Sequence, residues 1–309
     1  MQHDSSRGSN TPLHLLPFII LLLMSSQTLL AQGGAARLFA YDKKVPMDVR
    51  EDMVNARDGV TIRVISYAPG NARHARVDAF VVTPDGKGPF AGVLFFHWLG
   101  KPNGDRGEFL EDAVELAKRG TVSLLIQGAF PWLEEPTSPL ADRQQIIEQT
   151  VEVRRALDLL LSLDDVDAKR IGFVGHDYGA MYGAVAAGVE KRVKAWVLVA
   201  GMGTFSEWSL KYWPATGKDG EEAYRAAMKP LDPVGHIANA APAALLFQFS
   251  DSDKYTSKAE ALAFYSAAHS PKEIRWYACG HEMNAEAVRA DRLLWIEKQF
   301  RLTKKGVSR

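Results

Sequence analysis

The stretch Ile171-Gly172-Phe173-Val174-Gly175-His176-Asp177-Tyr178-Gly179-Ala180-Met181-Tyr182-Gly183-Ala184 decides how the rest of the chain is read. Its first four residues suit a buried strand, and the small residues from Gly179 onward suit a closely packed helix. With 25 glycines in 309 residues, a Gly-x-x-x-Gly spacing arises by chance about twice, so spacing alone carries little. Placement carries more. Gly175 and Gly179 sit where the strand turns directly into the helix, a turn that needs glycine to avoid clashes and that pushes Asp177 into a pocket at the strand's C-terminal end. Taken alone, Asp177 is explained equally well as a helix cap, since a carboxylate there sits in a favourable dipole and accepts backbone N–H bonds.

On either side of this turn, short β-branched runs alternate with longer, helically periodic ones, the pattern of βα units on a mainly parallel sheet. Residues 60–66 and 76–82 read as an opening antiparallel pair joined across Pro69-Gly70-Asn71, a turn sequence. Residues 92–98 (GVLFFHW) read as a strand buried on both faces. Phe109, Ala113, Leu116 and Ala117 share one face of a helix that stops at Gly120, and 122–126 is the next strand. A long helix is expected over 142–163. Strand and helix then recur at 171–174 and 179–189, at 245–249 and 258–268, and at 274–277 and 284–300. The strand 196–200 leads instead into an excursion, 201–242, containing Trp208, Tyr212, Trp213 and Tyr224. It is too short for a second core but long enough to lie over a pocket, and an ordinary surface excursion explains it as well.

The composition narrows the function. Hydrophobic residues make up 47% of the chain, enough for one large core. Lys plus Arg and Asp plus Glu balance at 37 each, so no basic surplus drives binding to nucleic acid or anionic lipid; the expected partner is a small-molecule substrate. The single cysteine, Cys279, has no partner for an intramolecular disulfide, and no Cys/His cluster has zinc-site spacing. Nothing calls for a metal or an organic cofactor.

The first 31 residues are read separately. Arg7 and polar neighbours precede an apolar stretch, 13–23, followed by small and polar residues ending Leu30-Ala31-Gln32. That order is a secretory signal, with cleavage expected after Ala31 and export to the periplasm or beyond. The apolar core is shorter than the roughly 20 residues a spanning helix needs. The expected organisation is a signal peptide (1–31), a polar lead-in (32–57) and one catalytic domain (58–309).

The residues after the later strands shift the balance on Asp177. Ser250-Asp251-Ser252-Asp253 follows one strand and Ala278-Cys279-Gly280-His281 another. A nucleophile, an acid and a histidine thus occur in order, each in a loop at a strand's C-terminal end, and such loops converge on one crevice. Asp253 is preferred to Asp251 as the acid because it lies further from the strand end. The strand ending His97-Trp98-Leu99-Gly100 is placed to supply an oxyanion-hole amide from Leu99 or Trp98, acting with the Tyr178 N–H. His97 and His176 are expected to hold loops by hydrogen bonds. Cys279 reads as a small buried side chain.

The segments GVLFFHWLG, GFVGHDYGAM, LLFQFSDSDKYTS and RWYACGHEMNAEA resemble the dienelactone-hydrolase-like branch of the α/β-hydrolase superfamily, sometimes grouped with acetyl-xylan esterases. The resemblance runs from about residue 60 to 300. It implies the α/β-hydrolase fold, a mostly parallel twisted sheet of about eight strands flanked by helices with no large cap domain. Family members carry Ser or Cys at the elbow, where this chain has Asp177; aspartate there resembles haloalkane dehalogenases and epoxide hydrolases.

A free carboxylate, with a pKa near 3.9, is ionised at neutral pH and needs no base before it attacks. Asp177 would displace a leaving group at saturated carbon to give an alkyl-enzyme ester, and His281, oriented by Asp253, would activate water to hydrolyse it. Attack on a carboxylic ester would give an uphill mixed anhydride, so epoxide or carbon–halide opening is the expected chemistry. Trp98 indole is a candidate halide donor, Tyr178, Tyr212 or Tyr224 a candidate acid for an epoxide, and Trp208 and Tyr212 candidate substrate contacts. Two alternatives stand beside it: cleavage of an ester or lactone with Asp177 as general base on water, and a binding protein on the same fold.

Overall fold

The computed structural model describes residues 37–70, 75–100, 104–130, 138–213, 217–218 and 220–302. The chain divides into Met1–Leu38 and Phe39–Arg309. Of the first unit only Arg37 and Leu38 are described, so the expected signal peptide and its cleavage point lie outside the described residues. The sheet, its helices and the candidate site all belong to the second unit.

Nine strands form one sheet in the order β1-β2-β3-β5-β4-β6-β7-β8-β9. They are β1 (Arg50–Arg57), β2 (Val60–Tyr67), β3 (Val77–Pro84), β4 (Phe90–Phe96), β5 (Thr121–Ile126), β6 (Val166–His176), β7 (Ala195–Val199), β8 (Ala244–Ser250) and β9 (Lys272–Tyr277). The pairings β1–β2, β2–β3 and β3–β5 are antiparallel, and the other five are parallel. One strand more than expected is present, because residues read as a polar lead-in form β1. Every residue of β1 is exposed, so no burial pattern marks it in the sequence. By contrast β4, β5 and β7 are buried at every position, as strands covered on both faces must be.

Helices α1 (Leu110–Ala117), α2 (Pro139–Leu161), α3 (Tyr178–Val189), α4 (Phe205–Tyr212), α5 (Glu221–Met228), α6 (Lys258–Ala267) and α7 (Glu286–Phe300) complete the layers. Ser138 caps α2, its side chain accepting the Ala141 N–H, with Pro139 at the first position. A reciprocal capping box between Ser257 and Glu260 opens α6. Val114 and Leu116 of α1 and Val288, Leu293, Trp295 and Phe300 of α7 join Val93, Phe95 and Val197 in one hydrophobic cluster. Beneath that cluster, Asp112 is buried and accepts from Arg292 Nη2 at 2.6 Å and from Arg289 Nε at 2.6 Å, tying α1 to α7.

α3 is buried along almost its whole length. Its glycines explain how: a Cβ on Gly183 would run into the Phe173 ring of β6. The excursion at 201–242 folds as two eight-residue helices, α4 and α5, followed by three short 3₁₀ turns, and so forms no large cap. Among the described residues no helix is long and apolar enough to cross a membrane.

Candidate active site

β6 ends at His176 and α3 begins at Tyr178, leaving Asp177 alone in the turn. Its φ is 51° and its ψ −115°, a strained conformation for a residue with a Cβ. The turn closes only because both flanking glycines lack side chains. A Cβ on Gly175 would lie 2.5 Å from the Gly179 carbonyl, and one on Gly179 would sit on the Phe96 carbonyl oxygen. The Asp177 N–H is held by the Val199 carbonyl at 2.8 Å.

The loops after β8 and β9 bring the other two residues to this turn. His281 Nδ1 lies 2.9 Å from Asp253 Oδ2 and 3.0 Å from Asp253 Oδ1. Its Nε2 lies 3.6 Å from Asp177 Oδ1, an ion-pair approach just beyond a hydrogen bond. The imidazole is therefore flanked by two carboxylates, and all three side chains are at most 3% exposed. Asp253 Oδ1 also accepts the Tyr255 and Thr256 amides at 2.8 and 3.0 Å, whereas Asp251 is exposed.

Electrostatics in this row are mutual. Burial disfavours charge on His281, but the close approach of the Asp177 carboxylate and the bond and charge of Asp253 outweigh it and push the pKa up to about 9. Burial likewise disfavours charge on Asp253, yet the bond to His281 and the two amides win and lower its pKa. At neutral pH the imidazole is thus an imidazolium. A folded-state pKa above the ordinary 6.5 contributes stability that is complete below about pH 6.5 and fades as pH rises through about 9. The expected loss over that window is on the order of 3 kcal/mol. Thermal melts of the wild type and of His281→Gln should converge across it as pH rises, the wild type alone weakening; parallel curves would contradict this electrostatic picture.

Of the two amides expected from the β4 loop, the Trp98 N–H is taken by Glu108 Oε2 at 2.8 Å. The Leu99 N–H is the one that faces the elbow, 3.2 Å from Asp177 Oδ2. Tyr178 is the first residue of α3, and an N–H there has no partner within the helix. Asp177 Oδ1 accepts no hydrogen bond among the described residues.

A cavity of about 340 Å³ opens over this row, lined by Trp98, Leu99, Gly100, Asp177, Trp208, Tyr212, Trp213, Tyr255 and His281. Trp208 and Tyr212 of α4 are therefore where a substrate-contacting wall was expected. The tyrosine acids expected for an epoxide fare differently. The Tyr224 hydroxyl donates to Asp142 at 2.9 Å, and Tyr224 is not among the lining residues. The Tyr212 hydroxyl is committed to the Tyr255 carbonyl at 2.6 Å. Tyr178 packs among Phe130, Tyr182, Phe205 and Trp208 rather than on the cavity wall.

Tyr255 is a lining residue that the sequence did not single out; its ring meets His281 edge-on at 4.7 Å. Its one available signal was its position two residues after Asp253. A larger cavity, about 490 Å³, lies near Tyr41, Arg76, Gln127 and Glu152. It contains none of the three residues, so the smaller one is the candidate site.

His97 and His176 hold loops, as expected. His97 Nε2 accepts the Gly128 N–H at 2.9 Å, so its proton is on Nδ1, which donates to the Trp98 carbonyl at 2.7 Å. Burial lowers the His97 pKa and keeps it neutral. Cys279 is half-buried, its thiol 3.8 Å from Met283 Sδ. Among the described residues no group of three or more His, Cys, Asp or Glu side chains is arranged to hold a metal ion.

The sheet order, the strand-turn-helix elbow and the acid and histidine loops define an α/β-hydrolase fold. No family model matches the sequence, and no curated protein matches it; the likeness is to solved structures. An acetyl xylan esterase from Paenibacillus sp. R4 superposes with a TM-score of 0.70 at 19% identity, covering 87% of this chain and 93% of that one. A glucuronoyl esterase from Solibacter usitatus gives 0.63 at 13% identity over 87% and 92%. The α/β hydrolase GrgF from Penicillium sp. sh18 gives 0.56 at 14% over 84% and 100%. Identities this low establish the fold that these proteins share.

Proposed function

We propose that this chain is a hydrolase of small organic substrates and that it cleaves a carboxylic ester. The observation that carries this reading is the His281 imidazole, held between the Asp253 and Asp177 carboxylates and facing the cavity. The esterases among its structural neighbours support the choice of ester. Kinship with dienelactone-hydrolase-like enzymes rests on four sequence segments, those around the β4 end, the elbow, Asp253 and His281.

In such a reaction the Asp177 carboxylate takes a proton from water as the water oxygen bonds to the ester carbonyl carbon. Charge then develops on the carbonyl oxygen, where the Tyr178 N–H is a candidate donor. Collapse breaks the carbon–oxygen bond to the alcohol. The His281 Nε2 proton passes to the departing alkoxide, giving a carboxylic acid and an alcohol. The proton on Asp177 then restores the imidazolium. Asp253 keeps Nδ1 protonated and the ring aligned throughout.

A second reading is displacement at saturated carbon, favoured by Asp177 itself. Oδ2 is anchored by the Leu99 N–H, while Oδ1 is buried beside His281 Nε2 at 3.6 Å and accepts no hydrogen bond among the described residues, which leaves its lone pairs uncommitted. Forming the alkyl ester removes the charge on Asp177, withdraws one of the two supports of the imidazolium and frees His281 to act as base on water.

One single-turnover experiment in oxygen-18 water separates the two routes. Direct hydrolysis places the label in the carboxylic acid product and leaves Asp177 unlabelled. The covalent route places it in the Asp177 carboxylate, and His281→Gln then accumulates an alkyl adduct visible by intact mass. A chain that turns over neither aryl esters, epoxides nor haloalkanes, yet binds them tightly, would reject both in favour of a binding protein. Reading residues 1–31 as an export signal, we propose that it acts outside the cytoplasm.

A further inference from the structure

Glu108 lies in the short turn just before α1 and has no motif to mark it, yet it reaches two of the loops that build the site. Its Oε2 accepts the Trp98 N–H at 2.8 Å. Its Oε1 lies 2.7 Å from His176 Nδ1. His176 is buried, adjacent in sequence to Asp177, and its Nε2 lies 2.9 Å from the carbonyl oxygen of His281. That carbonyl can only accept, so His176 Nε2 carries a proton and donates it. The indole of Trp98 stacks on the His176 ring at 5.3 Å, within 11° of parallel.

We propose that Glu108 and His176 are positioning residues, one carboxylate and one imidazole that together fix the β4 loop over Asp177 and the β9 loop that carries His281. The inference rests on the assignment of Asp177, His281 and Asp253 as the site. Pinning the Trp98 N–H turns the next amide, that of Leu99, toward Asp177 Oδ2. Pinning the His281 carbonyl sets where its imidazole stands between the two carboxylates. Whichever partner holds the proton between Glu108 Oε1 and His176 Nδ1, the pair carries no net charge. It therefore adds no net charge beside His281, and the effect proposed for it is one of geometry.

The test follows the titration of His281 by nuclear magnetic resonance in the full chain with isotope-labelled histidine. The groups facing that ring are Asp177, Asp253, Tyr255, Trp208, Trp98 and His176. In the wild type the two flanking carboxylates should hold its titration near 9. Glu108→Ala releases both loops and should bring His281 back toward the ordinary 6.5. His176→Phe, which keeps a ring against Trp98, should do the same and serves where Glu108→Ala fails to fold. Glu108→Gln should retain the wild-type value, because its amide oxygen can accept the Trp98 N–H and its NH₂ can donate to His176 Nδ1.

A His281 titration unchanged in folded Glu108→Ala or His176→Phe overturns the proposal. Turnover plays no part in this readout, so a chain without hydrolytic activity would defeat the proposed function and leave the positioning claim standing. Where an aryl ester is hydrolysed, the same two variants should lower kcat by about 10²-fold, the cost of an ångström of misplacement, with KM little changed.

Discussion

Asp177→Asn is expected to lower turnover by roughly 10⁴-fold or more while the fold, read by circular dichroism, is unchanged. Asparagine has the same shape and tolerates positive φ, so the elbow survives and the Leu99 N–H still finds an oxygen. What disappears is the negative charge. A neutral amide neither takes a proton from water nor attacks carbon, so both proposed routes lose their first step. The substitution also withdraws one of the two charges that raise His281, so its pKa should fall, and a residual rate carried by the His281–Asp253 pair should show a lower-lying pH dependence than the wild type. Retention of more than about a tenth of wild-type activity would mean that Asp177, whose side chain caps no helical N–H, serves the loop through Leu99 alone and that the chemistry lies elsewhere.

Asp112→Ala is expected to cost about 3–5 kcal/mol of stability, the usual consequence of removing one partner of a buried ion pair. Asp112 is 4% exposed and Arg292 5%. Arg292 gives two of its N–H groups to Asp112, and its one other side-chain partner, Gln248 Oε1, lies at a long 3.3 Å. Without the carboxylate a guanidinium is left buried against Phe109, its centre 5.1 Å from the ring. For a domain of this size the loss corresponds to roughly 10 °C in Tm. The effect should be on stability alone: denaturant melts shift, while turnover per folded molecule is unchanged. A shift under about 1 kcal/mol would show that the cluster tolerates the uncompensated charge.

The parts of the fold legible in the sequence are those whose burial writes a pattern. β4 and β7 are continuous apolar runs, β5 is apolar but for Thr121 and Ser123, and α1 shows its buried stripe. The strand β1 writes none, being exposed at all eight positions, and its pairing with β2 is a matter of backbone hydrogen bonds. β6 begins at Val166, five residues before its apolar part, because Asp167, Ala168, Lys169 and Arg170 extend it through polar sequence.

The site divides in the same way. That Asp177, Asp253 and His281 would converge was legible, because chain order and strand ends place them. Glu108 was not, since its partner His176 lies 68 residues away. The grouping of Tyr224 with the cavity aromatics failed for a related reason. α4 and α5 present different sides to the core, and Tyr224 turns inward to Asp142.

The backbone at Asp177 has a consequence for any attempt to improve this protein. A positive φ subtracts from stability, whereas the carboxylate supplies one of the two counter-charges of the buried His281, so replacement by glycine relaxes the backbone while leaving His281 less well paired. Selection for heat tolerance alone therefore pulls on this residue in two opposed directions, and libraries built for robustness need a parallel screen for turnover if the elbow is to be retained.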